Sequence, residues 1–183
     1  RNILIMIVLV QASYFLYEGA LEVGAGLSAG VINMIPDNFF KLTADSFINI
    51  GLELIFVVPY VIILFLKVLL LLIRYAIVAV GVAFFPIGIF LYFIEPLKDY
   101  GKLVINALLS NIFVTFFATV ILLAFSKLVD IGFLSNFKML IMIGAFSMVI
   151  ILMIFVMFFV VLKSAFRTGS KVVGVVSSIV RRI

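Results

Sequence analysis

Long uncharged runs set the pattern of this chain. They cover residues 2–17, 103–126 and 139–162, and the 48 residues from 47 to 94 hold only three charges, Glu53, Lys67 and Arg74. A bilayer core is crossed by about 20 helical residues. The pattern therefore predicts an all-α fold: a polytopic integral membrane helical bundle with about five transmembrane helices. The expected spans are 2–17, 47–66, 75–94, 103–126 and 139–162, in a single transmembrane domain followed by a basic amphipathic tail at 163–183.

The five-span count depends on dividing 47–94 in two, and the dividing point is unusual. Lys67 and Arg74 bracket Val68-Leu-Leu-Leu-Leu-Ile73, which has no Gly, Pro, Asn or Ser to turn the chain. Three arrangements are open. The cations sit at a hairpin tip; or they lie at mid-depth in one long helix, at a cost of about 2.5–3.5 kcal/mol each unless paired; or the helix leaves the bilayer and packs on neighbouring subunits. Glu53 lies 14 residues before Lys67, almost four turns away, and is a poor partner within a straight helix. Pro59 is a candidate kink. Pro86 lies inside the second half, which stops at Glu95-Pro96.

The remaining segments carry weaker signals. Residues 24–30 are dense in Gly and Ala, with Gly26 and Gly30 in GxxxG spacing and Ala25 and Ala29 beside them. Such a face lets helix backbones approach closely in lipid, and a Gly-rich connection is the competing reading. Ile35-Pro-Asp-Asn38 is a turn signal, and the short amphipathic 39–46 suits the membrane interface. In the 103–126 run, Asn111, Thr115 and Thr119 are four apart and share a helix face. Polar groups in hydrocarbon face protein or water, so this stripe, with Lys67 and Arg74, is the candidate lumen- or partner-facing set. Simple interhelical hydrogen bonds, worth about 0.6 kcal/mol each, are the plainer reading, since Thr and Ser also satisfy themselves on their own helix backbone. In the last run Met139, Met142, Met148, Met153 and Met157 make packing adaptable, and Gly144 offers a third close-contact point. In the tail, Lys163, Arg167 and Lys171 form one basic stripe and Arg181-Arg182 a second cluster. These residues are read as anchors on anionic headgroups or as a docking site for a cytoplasmic partner.

Composition sharpens this picture. Hydrophobic residues make up 67% of the chain and charged residues 11%, against about 45–50% and 25% in soluble domains. Cys, His and Trp are all absent. Disulfides, thiol nucleophiles, imidazole acid–base chemistry and the usual zinc sites are thereby excluded. Neither a catalytic set nor a cofactor fingerprint is found, so no enzyme and no cofactor are expected. With five spans, one side of the membrane holds eight cations (Lys41, Lys98, Lys102, Lys163, Arg167, Lys171, Arg181, Arg182) and the other five (Arg1, Lys67, Arg74, Lys127, Lys138). The positive-inside rule then predicts a multi-pass protein of the cytoplasmic membrane, N-terminus outside and tail inside.

The stretch 71–96, LLIRYAIVAVGVAFFPIGIFLYFIEP, followed by the charged link Lys98–Lys102 and a returning apolar helix from Leu103, resembles a known family. It looks like the core of the TrbL-like polytopic inner-membrane subunits of conjugative type IV secretion systems, whose archaeal relatives are the CedA-like DNA-import proteins. The resemblance lies in an interior proline, Pro86, a stop near a second proline, Pro96, and the charged link. It implies a channel or scaffold subunit of a DNA-transfer machine, without catalytic residues of its own. The implied partners are the lipid bilayer, further copies or other membrane subunits, a pilus-like filament, a cytoplasmic ATPase and translocating DNA. Two other classes remain from the residues themselves: a small-solute transporter or ion channel built on helices broken at Pro59 and Pro86, and a structural membrane protein of a virus or pilus platform.

Overall fold

The computed structural model describes residues 2–41, 50–131 and 137–158, with side chains from residue 3 in the first of these segments and from residue 55 in the second. Four long helices account for almost all of them: α1 (Asn2–Ile32), α2 (Ile50–Phe93), α3 (Lys98–Val129) and α4 (Lys138–Phe158). All four are long and apolar enough to cross a membrane. Among the described residues the count is four, not five. Residues 47–66 and 75–94 do not form two spans, because α2 runs unbroken from Ile50 through Lys67 and Arg74 to Phe93. The reason is local: six consecutive aliphatic residues between the cations give the chain nothing to turn on, while Leu is a strong helix former. Pro59 and Pro86 are both accommodated inside this helix. At 1.5 Å per residue α2 is about 66 Å long, roughly twice a 30 Å hydrocarbon core, so it is tilted in the bilayer or extends beyond it.

The glycine-rich segment 24–30 is helical and belongs to α1. Its inward face is small and polar: Ser13, Tyr17, Gly24 and Ser28 are buried. The serines satisfy themselves, Ser13 donating to the Val10 carbonyl at 2.6 Å and Ser28 to that of Gly24 at 2.7 Å. A hydroxyl that bonds its own helix can be buried in an apolar bundle without a partner elsewhere.

Between α1 and α2 the chain makes a short 3₁₀ turn at Asp37–Phe39. Ile35 and Phe39 plug the end of the bundle and are almost fully buried. The Lys138 ammonium, at the start of α4, donates to the carbonyls of Asn38 and Lys41 and ties the turn down. At the opposite end, Ile94 is extended and a 3₁₀ turn at Glu95–Leu97 reverses the chain into α3. Pro96 there has no N–H to continue a helix.

The α2–α3 hairpin is the spine. The two helices approach most closely near the turn, where a Cβ on Gly101 would fall on the backbone of Tyr92 and Gly88. Val104 and Ile105 then crowd Gly88. Two apolar clusters flank this spine. One joins α1 to it through Tyr17, Phe85, Ile89, Leu108 and Ile112. The other joins α4 to it through Val114, Ala118, Leu122, Met142, Ala145, Phe146, Val149 and Met153, with Ile35 and Phe39 at its end.

Candidate functional site

Residues seven apart on a helix lie within about 20° of one face. On α2 that register picks out Tyr60, Lys67, Arg74, Gly81 and Gly88, and the whole series meets protein. Tyr60 lies 6.1 Å from the Phe146 ring, and the Lys67 ammonium stands 4.0 Å above that same ring. Arg74 reaches across to α3, donating through Nε to the Asn111 carbonyl at 2.8 Å and through Nη2 to the Ile112 carbonyl at 3.3 Å. A Cβ on Gly81 would strike the Tyr17 ring and Leu108, and the Tyr17 hydroxyl donates to the Val78 carbonyl at 2.7 Å.

The site is therefore a cationic, polar track on the inward face of α2, in which Arg74 meets the Asn111 and Ile112 carbonyls of α3 and Lys67 meets Phe146 of α4. Asn111 and Thr119 are 5% and 4% exposed. Asn111 turns its amide back to the Ala107 carbonyl at 2.9 Å, and Thr119 donates to the Phe116 carbonyl at 2.8 Å. Thr115, one turn from each, lies between them. The Asn111 Oδ1 and Thr115 Oγ1 atoms are buried without a hydrogen-bond partner.

The electrostatics are one-sided. An ion pair, Lys127–Asp130 at 3.8 Å, lies on the surface, while Lys67 and Arg74 meet an aromatic ring and helix carbonyls. An Arg fork suits two adjacent carbonyls, and a ring face suits an ammonium. The track offers fixed positive charge and hydrogen-bond donors rather than acid–base chemistry. Among the described residues no group of three or more His, Cys, Asp or Glu is placed to hold a metal.

The helix-packing candidates separate. Gly144 packs against Phe125, whose Cε1 would lie 3.4 Å from an added Cβ. Among the described residues Gly26 and Gly30 meet nothing, and a Cβ on either would have no neighbour within 4 Å. The close contact of α1 is made instead by Gly24, where a Cβ would lie 2.9 Å from Ile112 Cγ2. Lys163, Arg167, Lys171, Arg181 and Arg182 lie outside the described residues. Sequence reasoning missed Tyr17, Gly81, Gly88, Gly101 and Phe146. The seven-residue series through Lys67 and Arg74 was the signal for Gly81 and Gly88; nothing local marked Phe146.

Compared with known proteins, the chain matches no family model, no curated protein and no solved structure.

Proposed function

We propose that this chain is a membrane-embedded scaffold subunit of a DNA-transfer machine, acting as one of several copies that together bound the translocation path. The observation that carries the multi-copy part is where the polar residues go. Within one copy the Lys67–Arg74–Asn111 track is engaged in holding helices together, and the core beside it is packed to 0–1% exposure at Met142, Ala145, Val149 and Met153. A path for a large anionic polymer then runs between copies rather than through one. The DNA-transfer part rests on the resemblance of residues 71–102 to TrbL-like subunits.

Four crossings also bear on the expected orientation: an even number puts residue 2 and residue 158 on one side of the membrane, together with the Glu95–Leu97 turn, Lys98 and Lys102, and puts Lys41, Lys127 and Lys138 on the other.

Deletion of the gene is expected to abolish DNA transfer while leaving the membrane otherwise intact; normal transfer in a clean deletion sinks the reading. A second reading, a small-solute channel, is favoured by the unpartnered Asn111 Oδ1 and Thr115 Oγ1 beside Arg74. Flux through proteoliposomes containing this chain alone would select it.

A further inference from the structure

Two surfaces of the bundle match each other. The first is the outer face of α1. Gln11, Phe15, Glu18, Glu22, Gly26 and Ala29 fall on one side of that helix and are all exposed. Neither glutamate has a hydrogen-bond or ion-pair partner among the described residues. The second is the outer face of the α2–α3 hairpin. Here a groove of about 410 Å³ opens, floored by Ala76, Gly81 and Ala107 and walled by Phe84, Leu103 and Val104. Asn106, exposed, and Ser110, half-buried, stand on the α3 ridge next to it.

The depth of these faces follows from contacts. Lys102 and Lys127 bound 24 uncharged residues of α3, a slab of about 36 Å. Gly81 abuts both Tyr17 and Leu108, so those three share a level. Glu18 follows Tyr17 directly, and Leu108 is six residues, about 9 Å, inside Lys102. Glu22 is deeper: it is two residues from Gly24, which meets Ile112 near the middle of α3. Carboxylates at such depths face protein or water rather than lipid, so something covers this side of α1. On the hairpin, Asn106 and Ser110 lie two residues either side of Leu108, which puts an amide and a hydroxyl at the level of Glu18. Phe15, 73% exposed, is close to the level of the groove and large enough to fill part of it.

We infer that the outer face of α1 in one copy seats on the outer face of the α2–α3 hairpin in the next copy, Phe15 entering the groove and Glu18 accepting hydrogen bonds from Asn106 and Ser110. The alignment is a match of levels for copies that share one orientation in the membrane. Two different patches meet, so the contact is heterologous and closes into a ring when the rotation permits. The inference rests on the multi-copy reading above and names its interface.

The chain has no cysteine, which makes the test direct. Full-length chain carrying Phe15→Cys and Ala107→Cys is oxidised in native membranes. The double variant is expected to give a ladder of crosslinked products extending beyond the dimer, and each single variant to remain monomeric. A dimer from Phe15→Cys alone would mean that α1 meets α1, a crosslink to a different protein would mean that another subunit covers the face, and a monomeric double variant would mean no such contact; each overturns the inference. Glu18→Leu with Glu22→Leu suits lipid better than the wild type, so the bundle should still fold, which thermal unfolding checks. Gently solubilised, it is expected to lose its higher oligomers, and an unchanged size also overturns the contact. If gene deletion abolishes DNA transfer while these tests fail, the interface is wrong and the functional reading stands.

Discussion

Arg74→Lys should destabilise the bundle at least as much as Arg74→Leu, although Lys keeps the charge and Leu removes it. Two bonds from the guanidinium end on adjacent α3 carbonyls, at 2.8 and 3.3 Å. A hydrogen bond to a charged group contributes about 1.5–3 kcal/mol net, so Leu forfeits about 3–6 kcal/mol. It also removes a cation from the hydrocarbon interior, which recovers about 2.5–3.5 kcal/mol. By these two values the net change centres on a loss of about 1.5 kcal/mol, between a gain of about 0.5 and a loss of about 3.5. Lys retains the burial cost but has no planar fork to span two carbonyls. It loses at least one bond, about 1.5–3 kcal/mol, and recovers nothing. If each bond is worth only the 0.6 kcal/mol typical between membrane helices, the order is the same and Leu becomes stabilising. The assay is reversible unfolding of wild type, Arg74→Lys and Arg74→Leu in the same micelle or bicelle. A Lys variant at wild-type stability beside a Leu variant several kcal/mol weaker would refute the reasoning: positive charge, and not the fork, would then be what the seam needs.

Gly101→Ala should cost about 2 kcal/mol or more, since overpacking typically costs 1–3 and the added Cβ meets the backbone of Tyr92 and Gly88, which cannot swing aside; thermal unfolding in detergent reads it. Gly30→Ala, where an added Cβ meets nothing within 4 Å, should be neutral or stabilise the isolated subunit by up to about 1 kcal/mol from helix propensity alone; a marked loss of stability in the monomer would show that this face is packed. Phe146→Leu should lose about 0.5–2 kcal/mol of cation–π attraction to Lys67, and the same mutation in a Lys67→Leu background should cost clearly less, as a double-mutant cycle would measure.

How much of this was readable beforehand depended on whether the cause was local. The helical class and three of the four helices followed from uncharged run length, a property of each segment by itself. The split of 47–94 failed because run length sets how many crossings could fit, not how many occur. The better guide was the missing turn chemistry between Lys67 and Arg74. The polar stripe Asn111/Thr115/Thr119 and the two cations were each visible from spacing. That Arg74 lands on the Asn111 and Ile112 carbonyls was not, because it requires the registry of α2 on α3, which the Gly88–Gly101 approach and the Glu95–Leu97 turn set together. Gly26 and Gly30 show the converse. GxxxG spacing identifies a face able to pack closely, and the chain packs its neighbouring Gly24–Ser28 face instead.

The inward register of α2 also explains why two cations persist in so apolar a helix. Along that register long side chains, Tyr60, Lys67 and Arg74, give way to Gly81 and Gly88 toward the Glu95–Leu97 turn. Where the glycines lie, α2 and α3 nearly touch, as the Gly101 contact shows. Toward the other end the space is filled by α4 and by Ile35 and Phe39 of the turn after α1. A long side chain is needed at position 74, where α1 and α4 both reach the spine, to span the gap from α2 to the α3 backbone. Leu or Met could fill volume there, but neither fixes the register between two smooth apolar helices. Two hydrogen bonds to specific carbonyls do, because sliding α3 by one residue would move both acceptors by about 1.5 Å along the axis and 100° around it. On this argument the contribution of Arg74 is to alignment more than to stability. A library of apolar substitutions at Arg74 should therefore contain variants that unfold no more easily than wild type, yet give altered crosslinking between single cysteines placed on α2 and α3. Unchanged crosslinking throughout such a library would show that the glycine approach near the turn sets the register by itself.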